Sequence, residues 1–235
     1  MSTECHFGPG RAVPLDRADQ LLAALPRTAL TIHGGVPRHL LAHLGRLQAG
    51  ASALGWGLPW LLGSQAEIET WVREETPRSD AALRLVLEPE VARLSARLEP
   101  LPAVPHSYRL KVLPHPLRER RQDVAIVHKG LAGPWGQAVL VAARESGAED
   151  ALLLWDDGTL AETAIASVAL EQGDTLLVPP PQGRVASLAE RLDLPGWARA
   201  RGLRIEVADI SVPSVMGGRL WCMNALRGFW LASLA

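Results

Sequence analysis

Lysine is rare in this sequence, so chemistry that needs its amine has few places to occur. The chain has 235 residues and 24 basic side chains, but its only lysines are Lys111 and Lys129. Lys111 lies inside an apolar segment that predicts a strand, which is a poor place for a flexible amine. Lys129 follows the apolar run Val124–Val127, interpreted as a strand, and precedes a predicted helix. Junctions of this kind often carry functional groups, but the spacing alone also fits a solvated loop lysine.

Two other polar positions could serve a site, and each also has an ordinary structural interpretation. Glu162 closes a predicted strand after an Asp-Asp-Gly turn, where an acidic residue is usually just exposed. Asn224, the only asparagine in the chain, shares the segment WCMNALRGF (221–229) with Arg227. By itself that segment is typical of a turn with a cap. Neither position identifies a reaction without further context.

Composition and motifs exclude several classes of function. A formal net charge of −1 leaves no basic excess for binding a nucleic acid or an anionic membrane. His39 and His43 lie one helical turn apart without a third ligand nearby, so we expect no metal site. The sequence has no nucleophile elbow and no Gly-rich phosphate loop. The apolar runs are too short to span a bilayer and no signal-peptide pattern is present, so we expect a cytoplasmic protein.

The elements that must position these residues form two α/β halves. In the first half, Ala29–His33 and Ala82–Leu87 predict strands, and the leucine spacing of residues 38–54 predicts an amphipathic helix. Ser64 and Glu67 have the spacing of a capping box, which predicts a second helix beginning there. Residues 88–106 contain four prolines. We interpret them as a linker around a short helix at Val91–Leu98.

The second half is richer in predicted strands. A helix is predicted over Gly133–Glu145, with Gly147 placed to end it. Another helix begins at Ser187 and is interrupted near Pro195–Gly196. The predicted strands are Tyr108–Leu113, Val124–Val127, Ala151–Trp155, Thr159–Glu162, Ile165–Leu170, Thr175–Val178, Arg204–Ala208 and Arg219–Met223.

Taken in order, five short segments resemble the class IV aminotransferase family of pyridoxal-phosphate enzymes. They are LDRA (15–18), HLGRL (43–47), HKGL (128–131), GAEDALLLWDDGTLAE (147–162) and NALRGFW (224–230). The resemblance implies an α/β (α+β) chain with the two-domain D-amino-acid-aminotransferase-like fold. It places a small N-terminal α/β sandwich in residues 1–104 and a larger, strand-rich cofactor-binding pseudo-barrel domain in residues 105–235.

The resemblance implies pyridoxal 5'-phosphate as the cofactor and gives roles to three residues. Lys129 matches the lysine that binds the cofactor covalently, and Glu162 matches the carboxylate that faces the pyridine nitrogen. Arg46 matches the arginine of HLxRL that holds the phosphate. The residue types suit these tasks, because a carboxylate keeps a pyridinium protonated and a guanidinium offers a planar fork of donors to a phosphate.

Some family positions differ here. The Gly-Ile-Thr-like turn that contacts the phosphate is replaced by Gly183–Ala189, which contains no threonine. Ser187 or Arg184 is expected to compensate, together with backbone N–H groups at the start of the helix. The further cofactor-binding residues that we expect are Ser187 and Asn224. The expected substrate-binding residues are Thr28, Arg109 and Arg227.

The segment NALRGFW resembles aminodeoxychorismate lyases more than the Thr/Ser-rich turn of branched-chain and D-amino-acid aminotransferases. The implied reaction eliminates pyruvate from 4-amino-4-deoxychorismate and leaves 4-aminobenzoate, a folate precursor. Two alternatives stay open: an aminotransferase acting on branched-chain or D-amino acids, and a degenerate member acting as a pseudoenzyme or binding protein. The resemblance also implies a small-molecule amino substrate and a homodimer, for which several exposed tryptophans would suit the interface.

Overall fold

The structure is a computed structural model that describes residues 3–9, 24–133 and 135–235. The LDRA segment (15–18) and the loop predicted around it lie outside the described residues. The chain divides into two compact units. The first comprises Met1–Pro102 and His128–Gly133, and the second comprises Ala103–Val127 and Pro134–Ala235.

The first unit is built on a five-stranded antiparallel sheet in the order β1-β5-β4-β2-β3. Its strands are β1 (Thr3–Phe7), β2 (Arg27–His33), β3 (Val36–Pro37), β4 (Ala81–Glu88) and β5 (Arg93–Glu99). Its helices are α1 (Leu40–Ala53), α2 (Trp60–Gly63) and α3 (Gln65–Glu75).

The strand and the helix predicted at the start of this unit are confirmed, because the apolar residues of both are buried in the same core. Leu30 and Ile32 alternate along β2 and are fully buried. A stripe on α1 is buried against them at helical spacing. The stripe consists of Leu40, Leu44, Leu47 and Ala51.

The interpretation of the segment after β4 is wrong. A 3₁₀ turn at Pro89–Val91 leads into strand β5, which pairs with both β1 and β4, so this segment belongs to the sheet. Leu94, Ala96 and Leu98 are buried at a period of two, which is a strand pattern that the linker interpretation overlooked.

The capping box predicted at Ser64 is also wrong, although the helix that it announced is present. Ser64 has helical dihedral angles, and its hydroxyl donates a hydrogen bond to the carbonyl oxygen of Leu61 at 2.7 Å. Because α2 runs directly into α3, helical hydrogen bonding continues through Ser64, whose N–H donates to the carbonyl oxygen of Trp60 at 3.1 Å.

The second unit contains an eight-stranded mixed sheet in the order β11-β10-β9-β12-β13-β6-β7-β8. The strands are β6 (Ser107–Pro114), β7 (Asp150–Leu154), β8 (Leu160–Thr163), β9 (Ser167–Gln172), β10 (Thr175–Val178), β11 (Arg204–Val207), β12 (Arg219–Asn224) and β13 (Gly228–Leu234). The helices are α4 (Trp135–Glu145), α5 (Leu194–Arg199) and α6 (Val212–Val215), and a π-helical turn at Ala189–Asp193 precedes α5.

Most elements predicted in this half are confirmed, including the end of α4 at Gly147, which has a φ of 80°. The strand predicted at Val124–Val127 is wrong, because the segment is a 3₁₀ helix. The carboxylate of Asp123 accepts the N–H of Ala125 at 2.8 Å. The Asp123 carbonyl oxygen accepts the N–H of Ile126 at 3.1 Å. This local turn chemistry prevails over the β propensity of the apolar run.

Two further observations concern the surface. Of the eight tryptophans, only Trp56 is exposed, at 39%, so the expectation of several exposed indoles is wrong. Within the described residues, each helix is either too short or too polar to cross a bilayer.

Candidate functional site

In the first unit, the HKGL segment is tied to the start of β2. The carbonyl oxygen of Lys129 accepts the N–H of Arg27 at 3.1 Å. Gly130 has a φ of 103°, and a Cβ there would lie 2.0 Å from the carbonyl oxygen of Leu25. Only glycine permits this close approach. The segment is therefore fixed by its backbone, while the side chain of Lys129 is exposed.

A buried histidine, His43, connects helix α1 to strand β2. Its Nδ1 lies 2.6 Å from Oγ1 of Thr28, in a buried hydrogen bond. Burial is the largest cause that lowers the pKa of His43 to about 3, and the positive charges of Arg46, Lys129 and His39 contribute to the same shift in that order. The first unit thus brings Thr28, Arg46 and Lys129 together around a neutral imidazole. Two cations beside a neutral group form a region suited to an anion.

The low pKa of His43 predicts that acid destabilises the protein. The unfolded chain takes up this proton below about pH 6.5, whereas the folded protein takes it up only near pH 3. The stabilisation is therefore complete above pH 6.5 and declines as the pH falls, by up to about 1.4 kcal/mol per pH unit. Urea unfolding of the wild type and of His43→Gln at about pH 7 and about pH 5 measures this slope. Equal slopes in the two proteins would contradict the expectation.

In the second unit, Glu162 is buried at 5% exposure, so it is not the solvated acid that its turn context favours. Its Oε1 accepts the backbone N–H of Val185 at 3.1 Å and lies 3.8 Å from Nε2 of His115. Strand β8 carries the carboxylate, and the chain after β10 supplies the N–H. Sequence reasoning missed both contacts, since His115 lies in no recognisable motif and Val185 contributes a backbone group.

Ser187 lies two residues after Val185, in the same loop as the N–H that Glu162 accepts. Its own N–H donates to Oγ of Ser167 at 2.8 Å, and its hydroxyl accepts the N–H of Glu190 at 3.0 Å. The structure therefore brings Ser187 and Glu162 into one neighbourhood. Ser167, which sequence reasoning did not select, fixes the loop.

Arg184 is engaged inside the protein, so it is not placed to compensate for the missing threonine. The residue is buried, and its guanidinium makes a two-armed ion pair with Glu190, with both N···O distances at 2.6–2.7 Å. It also donates to the carbonyl oxygens of Pro179 and Pro180. Four of about five available N–H donors are thereby used inside the protein.

Removing this arginine is expected to destabilise the protein strongly. Arg184→Ala leaves the Glu190 carboxylate and two proline carbonyls without partners, at a cost of about 3–5 kcal/mol. The double variant Arg184→Met, Glu190→Met removes both charges and should lose less, because no unpaired charge stays buried. Denaturant unfolding of the three proteins measures the difference. A single variant as stable as the wild type would show that the pair contributes nothing.

The turn between β12 and β13 is built on Asn224. Its Oδ1 accepts the N–H groups of Leu226 and Arg227 at 3.0 and 2.9 Å, and its Nδ2 donates to the carbonyl oxygen of Ile165 at 3.2 Å. The capped turn is therefore present, and one amide hydrogen of Asn224 has no hydrogen-bond partner in the part of the chain that the structure describes. The Nε of Arg227 is buried and has no hydrogen-bond acceptor within the described residues. A buried donor of this kind is available to a ligand.

Arg109 is not brought together with these groups. Its side chain is 61% exposed and lies 3.7 Å from the carboxylate of Glu149, and it donates to the carbonyl oxygen of Gly147 at 2.7 Å. Arg109 is near the start of β6, six positions before His115 (115 − 109). That separation amounts to about 20 Å along an extended chain. Arg109 therefore lies at the other end of the strand from the Glu162 neighbourhood.

Within the described residues, no group of three His, Cys, Asp or Glu side chains could hold a metal ion. The chemistry thus divides into two clusters, one in each unit. The first contains Thr28, His43, Arg46 and Lys129. The second contains His115, Glu162, Ser167 and Ser187. The turn that carries Asn224 and Arg227 is joined to the same sheet by the hydrogen bond of Asn224 to Ile165.

Comparison with known proteins identifies a sequence family. Residues 28–233 match the model of a family described as amino-transferase class IV. No curated protein matches the sequence.

Solved structures show the fold. A protein provisionally assigned as a 4-amino-4-deoxychorismate lyase is 26% identical, with a TM-score of 0.74, and the match covers 94% of this chain and 89% of that one. The 4-amino-4-deoxychorismate lyase from Pseudomonas aeruginosa is 21% identical, with a TM-score of 0.74 and coverage of 99% and 91%. An aminotransferase from Brucella abortus bound to the cofactor PLP is 18% identical, with a TM-score of 0.79 and coverage of 98% and 90%. The fold expected from the resemblance is thereby confirmed.

Proposed function

Since this chain belongs to the class IV aminotransferase family, we propose that it is a pyridoxal-phosphate-dependent lyase that converts 4-amino-4-deoxychorismate into 4-aminobenzoate and pyruvate. The observation that carries the lyase assignment is the turn after β12. There Asn224 fixes the backbone of the segment NALRGFW and leaves the Nε of Arg227 as a buried donor. The substrate carries carboxylates that such a guanidinium can bind.

The described residues fit the cofactor. In the first unit, the positive charges of Arg46 and Lys129 lie near the neutral imidazole of His43. This positive region suits the phosphate of the cofactor, and the amine of Lys129 suits its aldehyde. In the second unit, Glu162 is a buried carboxylate, which suits a protonated pyridine nitrogen. Ser187 and Asn224 are the proposed further cofactor contacts. Asn224 contributes an amide hydrogen to this contact, and Ser187 contributes its hydroxyl.

When bound, pyridoxal phosphate supplies an electron sink for the pair released from a substrate C–H bond. The amine of Lys129 first holds the cofactor and then takes the proton from the ring carbon that bears the amino group. The C–O bond to the enolpyruvyl group breaks, and Lys129 returns a proton to the departing enolpyruvate, which becomes pyruvate. Glu162 holds the proton on the pyridine nitrogen. The products together contain the atoms of the substrate, so no second reactant is needed.

The substrate contacts follow from where the side chains lie. Arg227 is the proposed carboxylate ligand, because its Nε is buried without an acceptor. Thr28 acts through His43, since its hydroxyl is already bonded to that imidazole. Arg109 is left out of the proposed site because it pairs with Glu149 at the far end of β6. A homodimer, a cytoplasmic location and a place in folate biosynthesis belong to the same proposal.

A second candidate is amino transfer, which is favoured by the likeness to an aminotransferase bound to PLP. Both reactions use the same lysine, carboxylate and arginine, so a substrate assay separates them. The lyase releases 4-aminobenzoate and pyruvate from 4-amino-4-deoxychorismate without any 2-oxo acid. Amino transfer to 2-oxoglutarate, with no 4-aminobenzoate released, would show that the protein is a transaminase and not a lyase. A protein that gains no yellow absorbance with added pyridoxal phosphate would instead be a pseudoenzyme or binding protein.

A further inference from the structure

His115 is a fully buried polar residue that the proposed reaction does not use. It directly follows β6, and its ring contacts two indoles, with centroid distances of 5.0 Å to Trp135 and 4.3 Å to Trp155 and interplanar angles of 55° and 31°. The guanidinium of Arg121 lies over Trp155, 5.0 Å from its ring centroid. The imidazole is therefore packed against two aromatic rings, which restrict its orientation.

The hydrogen bonds of His115 define its protonation state. Its Nδ1 lies 3.0 Å from the backbone nitrogen of Leu117. A backbone N–H can only donate, so Nδ1 must present a lone pair and cannot carry a hydrogen. The ring is thus the neutral form, and its one hydrogen is on Nε2.

That Nε2–H group lies close to Glu162. Nε2 is buried and has no hydrogen-bond partner within the described residues. It lies 3.8 Å from Oε1 of Glu162, which is longer than a hydrogen bond, so the two groups attract each other as a dipole and a charge. Oε1 of Glu162 also accepts the N–H of Val185. One N–H group therefore binds this carboxylate oxygen, and a second nitrogen that carries a hydrogen lies within 3.8 Å of it.

We propose that His115 is a positioning residue for Glu162, and that its neutral Nε2–H holds the carboxylate in a fixed orientation. A neutral donor stabilises the negative charge without cancelling it, whereas an imidazolium would weaken the carboxylate as a partner for a pyridinium. The inference rests on the proposed function, because Glu162 is oriented for contact with the pyridine nitrogen of the cofactor. His115 itself acts only through Glu162.

Two conservative substitutions separate this role from a structural one. In His115→Gln the side-chain amide can place an N–H near the position of Nε2. In His115→Asn the shorter amide can accept the Leu117 N–H but does not reach Glu162. Affinity for pyridoxal phosphate, measured by equilibrium dialysis on the full chain, should fall about tenfold in the asparagine variant and stay within about threefold of wild type in the glutamine variant. Equal affinities in the two variants, whether both normal or both weakened, would overturn the inference.

A second measurement does not depend on the cofactor. Nitrogen NMR of the imidazole in the cofactor-free protein should show His115 neutral with its hydrogen on Nε2, and its signals can be assigned by their loss in His115→Gln. A hydrogen on Nδ1, or on both nitrogens, would overturn the inference. Failure of the proposed function looks different: the wild type would then bind no pyridoxal phosphate, while the NMR result would still decide the state of His115.

Discussion

Replacing Lys129 by arginine is expected to lower the rate of 4-aminobenzoate release by on the order of 10⁴-fold. Arginine preserves the positive charge beside Arg46 and His43, and nearly the length of the side chain. Its guanidinium stays protonated, however, so it can neither hold the cofactor covalently nor accept a proton. The variant should fold like the wild type, since the Lys129 side chain is exposed and its backbone bond to Arg27 does not depend on the side chain.

The chain offers one matched control. Lys111 is the only other lysine, and it is exposed on β6, where it pairs with Ala151 of β7. Lys111→Arg should keep the rate within about twofold of the wild type, as surface substitutions usually do. Release of 4-aminobenzoate by the two variants can be followed side by side by chromatography. A Lys129→Arg protein as active as Lys111→Arg would remove Lys129 from the proposed chemistry.

Replacing Glu162 by glutamine is the second large effect, with an expected loss in kcat on the order of 10²-fold. Glutamine has the same shape and can still accept the Val185 N–H through its amide oxygen. It carries no negative charge, so it cannot hold the proton on a pyridine nitrogen. The loss should therefore appear in kcat and in the absorbance of the bound cofactor, while the free energy of unfolding changes little.

A carboxylate of the same unit that lies outside the proposed site provides the comparison. Glu149 is partly exposed and pairs with Arg109, so Glu149→Gln should leave kcat within about twofold of the wild type. Steady-state kinetics and absorbance spectra of the two glutamine variants make the test. If Glu162→Gln kept the wild-type kcat and spectrum, its carboxylate would have no part in the reaction.

The parts of the fold that were predictable are those in which one periodicity is consistent over a whole element. The leucine stripe of α1 and the apolar alternation of β2 both predict the burial that the structure shows. Strand β5 was missed because four prolines in residues 88–106 suggested a linker, although Leu94, Ala96 and Leu98 already alternate. At Val124–Val127, apolar composition favoured a strand, but the Asp123 carboxylate makes a turn that periodicity does not describe.

The candidate site was predictable only at the residues that lie in a recognisable sequence motif. Lys129, Arg46 and Glu162 were each selected from short segments, and the burial of Glu162 and the charge cluster around His43 fit those selections. Contacts between distant segments gave no sequence signal. His115 lies between two prolines, and only the pairing of β6 with β7 brings it beside Trp155 and within 3.8 Å of Glu162.

The covalent attachment of pyridoxal phosphate to Lys129 is the central claim, and one measurement tests it directly. Borohydride reduction of the cofactor-loaded protein, followed by peptide mass analysis, fixes the cofactor to the lysine that held it. With only two lysines in the chain, the result is unambiguous. The account predicts modification of Lys129 alone. Modification of Lys111, or of neither lysine, would contradict it.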